Sequence, residues 1–136
     1  MFDECLYFNL SSLTRRITDK WKEEFSQLGL SPSHGYLLFA MVESPDEQQK
    51  DYGDYLDLEA STINRLIDAL IGKGLIEKLG SGRGSTVFVT AEGKVVYRRV
   101  KKTMKELRQN MNDALGSSRF KGLVRELAVA RQALDS

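Results

Sequence analysis

The stretch YLDLEASTINRLIDALIGKGLIEK, residues 55–78, decides the fold. Within it Ile63, Leu66, Ile67, Leu70 and Ile71 fall at i, i+3, i+4, i+7 and i+8, one apolar stripe of a helix. Ser61, Thr62, Asn64, Arg65 and Asp68 are left on the opposite side. The spacing predicts an amphipathic helix over 60–73, closed by Gly74, a residue that accepts the left-handed conformation. Leu58-Glu59 form a turn before it. Upstream, DEQQKDYGDYLDLE (46–59) gives a short acidic helix over 50–57, with Tyr52, Tyr55 and Leu56 as its inner face.

Downstream lies LGSGRGSTVFVTAEG, residues 79–93. A glycine loop can cradle phosphate when its N–H groups converge with a helix N-terminus and a Lys and Ser/Thr follow the last glycine. Here the glycines lead into the alternating run TVFVT, and no Gly-Lys-Ser/Thr follows. The better reading is a hairpin: strands at 75–79 and 85–90 around a SGRGS tip, with Arg83 the long side chain left to protrude. The whole wing spans 75–90. Thr90 then caps another helix.

The flanks are helical. Leu6, Leu10, Leu13, Ile17, Trp21, Phe25 and Leu28 step by 4, 3, 4, 4, 4 and 3, which predicts a long helix over 5–28 that Gly29 can end. Ser31-Pro32 supplies a capping hydroxyl and a proline at the first position of the next helix, where a missing N–H costs nothing. That helix carries YLLFAMV (36–42), apolar almost all round, and stops at Ser44-Pro45. Val96, Val100, Met104, Leu107 and Met111 mark a long helix after Thr90; Phe120, Leu123, Val124, Leu127 and Leu134 mark a last one beyond Gly116. The 91–135 region is therefore two helices. The fold class is mainly α with a small β-hairpin wing, in a single domain over 1–136.

Net charge is only +1, but it is segregated. Residues 1–60 hold 5 Lys/Arg against 12 Asp/Glu, net −7, while 61–136 hold 15 against 7, net +8. A basic half suits an anionic partner, and it also suits a solvated helix face. No apolar run of about eighteen residues exists, and MFDECLYFNL opens with acids rather than a basic region, so we expect a cytoplasmic protein with no membrane partner. One cysteine and one histidine give no metal set, no cofactor motif is present, and nothing assembles a nucleophile with its base; we expect no enzyme.

What remains is recognition chemistry. A helix whose outer face is Ser61, Thr62, Asn64 and Arg65 can enter the DNA major groove, where Asn and Arg read base edges and Ser or Thr bond bases or phosphates. Arg83 can reach the negative minor groove. These elements make a winged helix-turn-helix over 32–90. A winged-helix module that binds protein, using the acidic 43–59 segment and the wing without reading DNA, is the alternative.

The order of elements, with LGLSPSHGYLLFAMVES (28–44), YLDLEASTINRLIDALIGKGLIEK and STVFVTAEG (85–93), resembles the MarR family of transcription regulators over nearly the whole chain. The resemblance implies a homodimeric repressor on double-stranded DNA carrying a pseudo-palindromic operator, with 5–28 and 91–135 as dimerisation helices. Pairing also solves the burial of their apolar stripes, although a monomer could use the same stripes as its core. The family often binds small aromatic or phenolic effectors between the dimer helices and the winged domain; by position Trp21, Phe25, His34, Tyr36 and Phe39 would line that pocket. His34, near a helix start, can equally cap it or contact phosphate.

This chain departs from the family pattern at three places. Ser81 replaces the Asp that commonly steadies the wing arginine. Tyr52-Gly53 replaces Leu-Ala, and Asp51, Asp54 and Asp57 make that helix acidic. Cys5 falls about two residues upstream of the family's peroxide-sensing cysteine, on another face, and reads as an idle or buried thiol, since reactivity requires access and a depressed pKa.

Overall fold

A computed structural model of the chain describes residues 1–80 and 86–135. In chain order the elements are α1 (Leu6–Ser26), α2 (Pro32–Glu43), α3 (Gln49–Leu56), α4 (Ala60–Gly72), β1 (Ile76–Leu79), β2 (Thr86–Val89), α5 (Ala91–Leu115) and α6 (Ser117–Leu134). The chain divides into two compact units, Met1–Lys101 and Lys102–Ser136.

In the first unit, α2 packs against α1, α3, α4 and β2, and α3 against α4. The core follows the stripes of the sequence. Phe25 of α1, Leu37, Leu38 and Met41 of α2, and Ile63, Leu66, Ile67 and Leu70 of α4 are buried. Ser31 caps α2 by accepting from the His34 N–H, with Pro32 in the first turn. Gly74, at φ +74°, turns the chain from α4 into β1.

β1 and β2 pair antiparallel in the register Ile76↔Val89, Glu77↔Phe88, Lys78↔Val87 and Leu79↔Thr86. The hairpin is tied to the start of α5. Thr90 N donates to Leu75 O at 3.0 Å, Thr90 Oγ1 donates to Gly74 O at 2.7 Å, and the same oxygen accepts from Gly93 N at 3.0 Å. Gly93 is obligatory here for space: a Cβ would lie 2.0 Å from Leu75 O and 2.7 Å from Val89 Cγ1. The first turns of α5 also meet α2. The Tyr97 hydroxyl donates to Glu43, its ring lies 5.7 Å from that of Phe39, and Lys101 Nζ is 3.9 Å from Glu43.

The second unit holds the rest of α5 and α6, joined at Gly116 with φ +87°. Leu107 is fully buried, and no described residue of α6 is.

Two local expectations are corrected. Tyr55 is 56% exposed rather than on the inner face of α3; Tyr52 alone of the two tyrosines is buried, because an eight-residue helix presents only a narrow stripe to α2 and α4. Tyr36, in the run whose almost all-round apolar character implies burial, is 37% exposed, since it lies toward the α1 side of α2 with its hydroxyl on Trp21.

Candidate nucleic-acid interface

The helix-turn-helix is held from beneath. The Gln48 N–H donates to Asp51 Oδ2 at 3.0 Å, a carboxylate cap that starts α3. Buried Tyr52 donates its hydroxyl to Ser44 O at 2.8 Å, fixing α3 to the end of α2, and burial raises its pKa above the usual phenol value. The turn rests on Asp57 at φ 55°, ψ 47°, a left-handed conformation that Asp tolerates better than most residues. Leu58 N then donates to Gly53 O at 2.9 Å. Gly53 is buried where a Cβ would stand 3.0 Å from Leu58 O and 3.6 Å from Ile63 Cγ1, so the departure from Leu-Ala goes with a close approach of α3 to the turn.

On that base α4 divides cleanly. Ile63, Leu66, Ile67 and Leu70 face inward; Ser61, Asn64, Arg65 and Asp68 are exposed and Thr62 is half-buried. Arg65 Nη2 approaches Thr62 Oγ1 at 3.4 Å, and Asn64 Oδ1 accepts from Gln49 Nε2 at 2.7 Å. Sequence reasoning missed Gln49, because pairing across the angle between two helices leaves no periodic signal. Arg83, assigned to the wing tip, lies outside the described residues, as does Ser81.

Two of the acids at α3 have local jobs, Asp51 as a cap and Asp57 in the turn, while Asp54 is exposed.

The five residues assigned to an effector pocket fall into three settings. Trp21 Nε1 donates to the Tyr36 hydroxyl at 3.0 Å, and the Phe25 ring meets Tyr36 edge-on at 6.0 Å. Phe39 pairs instead with Tyr97. His34 works in the cap of α2: its Nδ1 accepts from Ser31 N at 3.3 Å and lies 2.7 Å from Ser31 Oγ. Burial, and then the nearby Lys73 charge, hold the His34 pKa below its ordinary value. The Tyr97 pKa is raised, first by its hydrogen bond to Glu43. A groove of 460 Å³ between the end of α2 and β2, lined by Met41, Pro45, Phe88 and Lys94 among others, includes none of the five.

Cys5 is exposed rather than buried within the chain, and its Sγ accepts from Phe8 N at 3.4 Å as the cap of α1. Among the described residues no group of three or more His, Cys, Asp or Glu could hold a metal, and no helix is long and apolar enough to cross a membrane.

No family model matches the sequence, and no curated protein matches it either. Solved structures do match in fold. The repressor CouR bound to a 23-mer DNA duplex superposes with a TM-score of 0.86 at 22% identity, covering 96% of this chain and 94% of that one. A MarR transcriptional regulator from Methanosarcina mazei Go1 gives 0.77 at 19% identity, covering 96% and 90%. The chain has the MarR-family fold. The PcaV regulator of Streptomyces coelicolor, in complex with its natural ligand, shares this MarR-type fold with a TM-score of 0.72 at 26% identity, covering 88% of this chain and 91% of that one. Each of these proteins is a transcription regulator or repressor.

Proposed function

We propose that this chain is a sequence-specific double-stranded DNA-binding transcription regulator, a MarR-family homodimeric repressor acting in the cytoplasm on a pseudo-palindromic operator. The observation that carries the reading is the division of α4: four apolar residues buried, and Ser61, Asn64 and Arg65 exposed with Thr62 beside them, above a turn fixed by Asp57 and Gly53. That CouR, of the same fold, is seen on a DNA duplex supports it. Ser61, Thr62, Asn64 and Arg65 read or clamp the major groove, and Arg83 enters the minor groove.

The dimer uses 5–28 and 91–135. Its support is the apolar surface each of these segments leaves in water: Leu6 is 73% exposed, Val124 53% and Leu134 86%. Two-fold pairing covers such stripes and spaces two recognition helices for successive turns of one DNA face. A small aromatic or phenolic effector completes the proposal, as CouR bound to p-coumaroyl-CoA and PcaV bound to its ligand suggest. Trp21 and Tyr36 form the aromatic edge it would meet, with Phe25 behind Tyr36 in the core; His34 and Phe39 would join it only by giving up their present contacts.

Selection of bound sequences from a random duplex pool, followed by anisotropy titration at several salt concentrations, tests the function. An enriched inverted repeat bound by two chains per duplex is the expected result. Arg65→Ala should cost about 1–3 kcal/mol, with relaxed preference at one base. Arg83→Ala should weaken binding and reduce the salt slope by roughly one contact. No enrichment by folded protein would overturn the reading in favour of a protein-binding module.

A further inference from the structure

Asn64 can serve base reading in two ways, because its amide offers an acceptor at one end and two N–H donors at the other. Which end faces the DNA decides which base is chosen. In this chain Asn64 already has a partner before DNA arrives. Gln49 Nε2 donates to Asn64 Oδ1 at 2.7 Å, the shortest of the polar contacts on this face of the helix-turn-helix.

Both partners stand on fixed backbone. Gln49 is the first residue of α3, whose start is pinned by Gln48 N on Asp51 Oδ2 and Asp51 N on Gln48 O at 3.0 and 2.9 Å. Asn64 follows Ile63, which is fully buried and lies under the close approach of Gly53. We infer that Gln49 is a positioning residue for sequence readout: it holds the Asn64 oxygen toward α3 and leaves Nδ2 as the end available to a base. In that arrangement Asn64 donates to an acceptor edge, guanine N7/O6, adenine N7 or thymine O4, and is set against the cytosine N4 donor.

In water an exposed side-chain hydrogen bond of this kind contributes little to folding. Under a bound duplex it is desolvated and the local dielectric falls, so turning over Asn64 alone would leave Gln49 Nε2 facing another N–H donor, and both amides would have to turn together to restore the bond. The bond thus acts on specificity rather than stability.

The inference rests on the DNA-reading function proposed above, and the test separates the two. Base preferences are measured by pool selection for the full-length wild type, Gln49→Ala and Gln49→Glu, with thermal melting to establish that each variant is folded. Gln49→Ala should melt with the wild type, keep its salt slope, and lose about fivefold or more of the discrimination at one base pair in each half-site. Gln49→Glu presents a carboxylate, which accepts from Asn64 Nδ2 and turns Oδ1 outward; the preferred base at that position should change to one offering a donor, cytosine first. Identical preferences in all three proteins would overturn the inference and leave the function standing. A changed salt slope in Gln49→Ala would overturn it too, by showing that Gln49 binds phosphate. If the wild type selects no sequence, both fall.

Discussion

Replacing Gly93 by alanine tests how the wing is attached. The added Cβ would lie 2.0 Å from Leu75 O, 2.7 Å from Val89 Cγ1 and 3.0 Å from Leu75 C. Ordinary contact begins near 3.4 Å, so the start of α5 and the start of β1 must part by roughly 1.4 Å, the difference between 3.4 and 2.0 Å. Two of the three obstacles belong to the backbone of Leu75, which cannot rotate away. The same separation stretches Thr90 N to Leu75 O and Thr90 Oγ1 to Gly74 O, the bonds that tie the hairpin to α5. Overpacking costs about 1–3 kcal/mol, and one lost hydrogen bond about 1 more. Alanine gains at most about 1 kcal/mol over glycine from helix propensity, less in a first turn. The net expectation is a loss of about 1–4 kcal/mol in urea-induced unfolding followed by circular dichroism and, under the proposed function, weaker DNA binding because the hairpin shifts. Gly72→Ala is the control. It ends α4 with nothing within 4 Å of a built Cβ, so the same exchange should be neutral or stabilising by up to about 1 kcal/mol. Gly93→Ala within about 0.5 kcal/mol of the wild type would refute the reasoning, because that is the range of an unremarkable surface change.

Three further outcomes follow from the same contacts. The His34 pKa is lowered in the folded chain, so below about 6.5 the unfolded chain binds the extra proton; stability falls as pH drops through that value, and the loss is complete below the folded pKa. His34→Gln keeps an acceptor at the third position of the capping box and should flatten this part of the stability profile between pH 7 and 5, while an unchanged slope would assign it to carboxylates. Asp57→Val should destabilise by about 1–2 kcal/mol in thermal unfolding, because a branched residue is held at φ 55°, whereas Asp57→Gly should stay within about 0.5 kcal/mol of the wild type. Tyr52→Phe removes the hydroxyl that satisfies Ser44 O and should cost about 1–1.5 kcal/mol by denaturant titration; a neutral result would mean that water replaces the phenol there.

Periodicity carried the helices, since Ile63, Leu66, Ile67 and Leu70 are buried where the 3.6 spacing puts them, and the cap at Ser31-Pro32 and the turn at Gly74 were legible from residue type alone. Contacts between elements were not. Gly93 reads in the sequence as a helix residue of poor propensity; only the approach of Leu75 O, eighteen positions away, explains it. Gln49 and Asn64 are fifteen residues apart on different helices, and their meeting depends on how α3 and α4 cross. Tyr55 shows the converse error, where an aromatic residue was assigned inward on a helix too short to bury two of them.

The acidity of α3 has a related explanation, and it bears on how the chain would hold DNA. Negative charge beside phosphates costs affinity, so its presence in a helix-turn-helix asks for a reason. Asp51 is required as an acceptor at the start of α3, and Asp57 and Asp46 stand at φ 55° and 64°, conformations in which Asp and Asn are among the few tolerated non-glycine residues. Glu47 accepts from the Tyr55 hydroxyl at 3.3 Å. Most of the charge thus serves to start, end or brace a short helix that lacks a wide apolar face. In the proposed DNA complex, acids placed this way near α4 leave fewer net cations to set against the backbone, which would lower non-specific affinity along with specific affinity. Under the proposed function, discrimination then depends the more on Ser61, Thr62, Asn64 and Arg65 of α4. That is the setting in which the proposed positioning of Asn64 by Gln49 would have the greatest effect on which sequence is chosen.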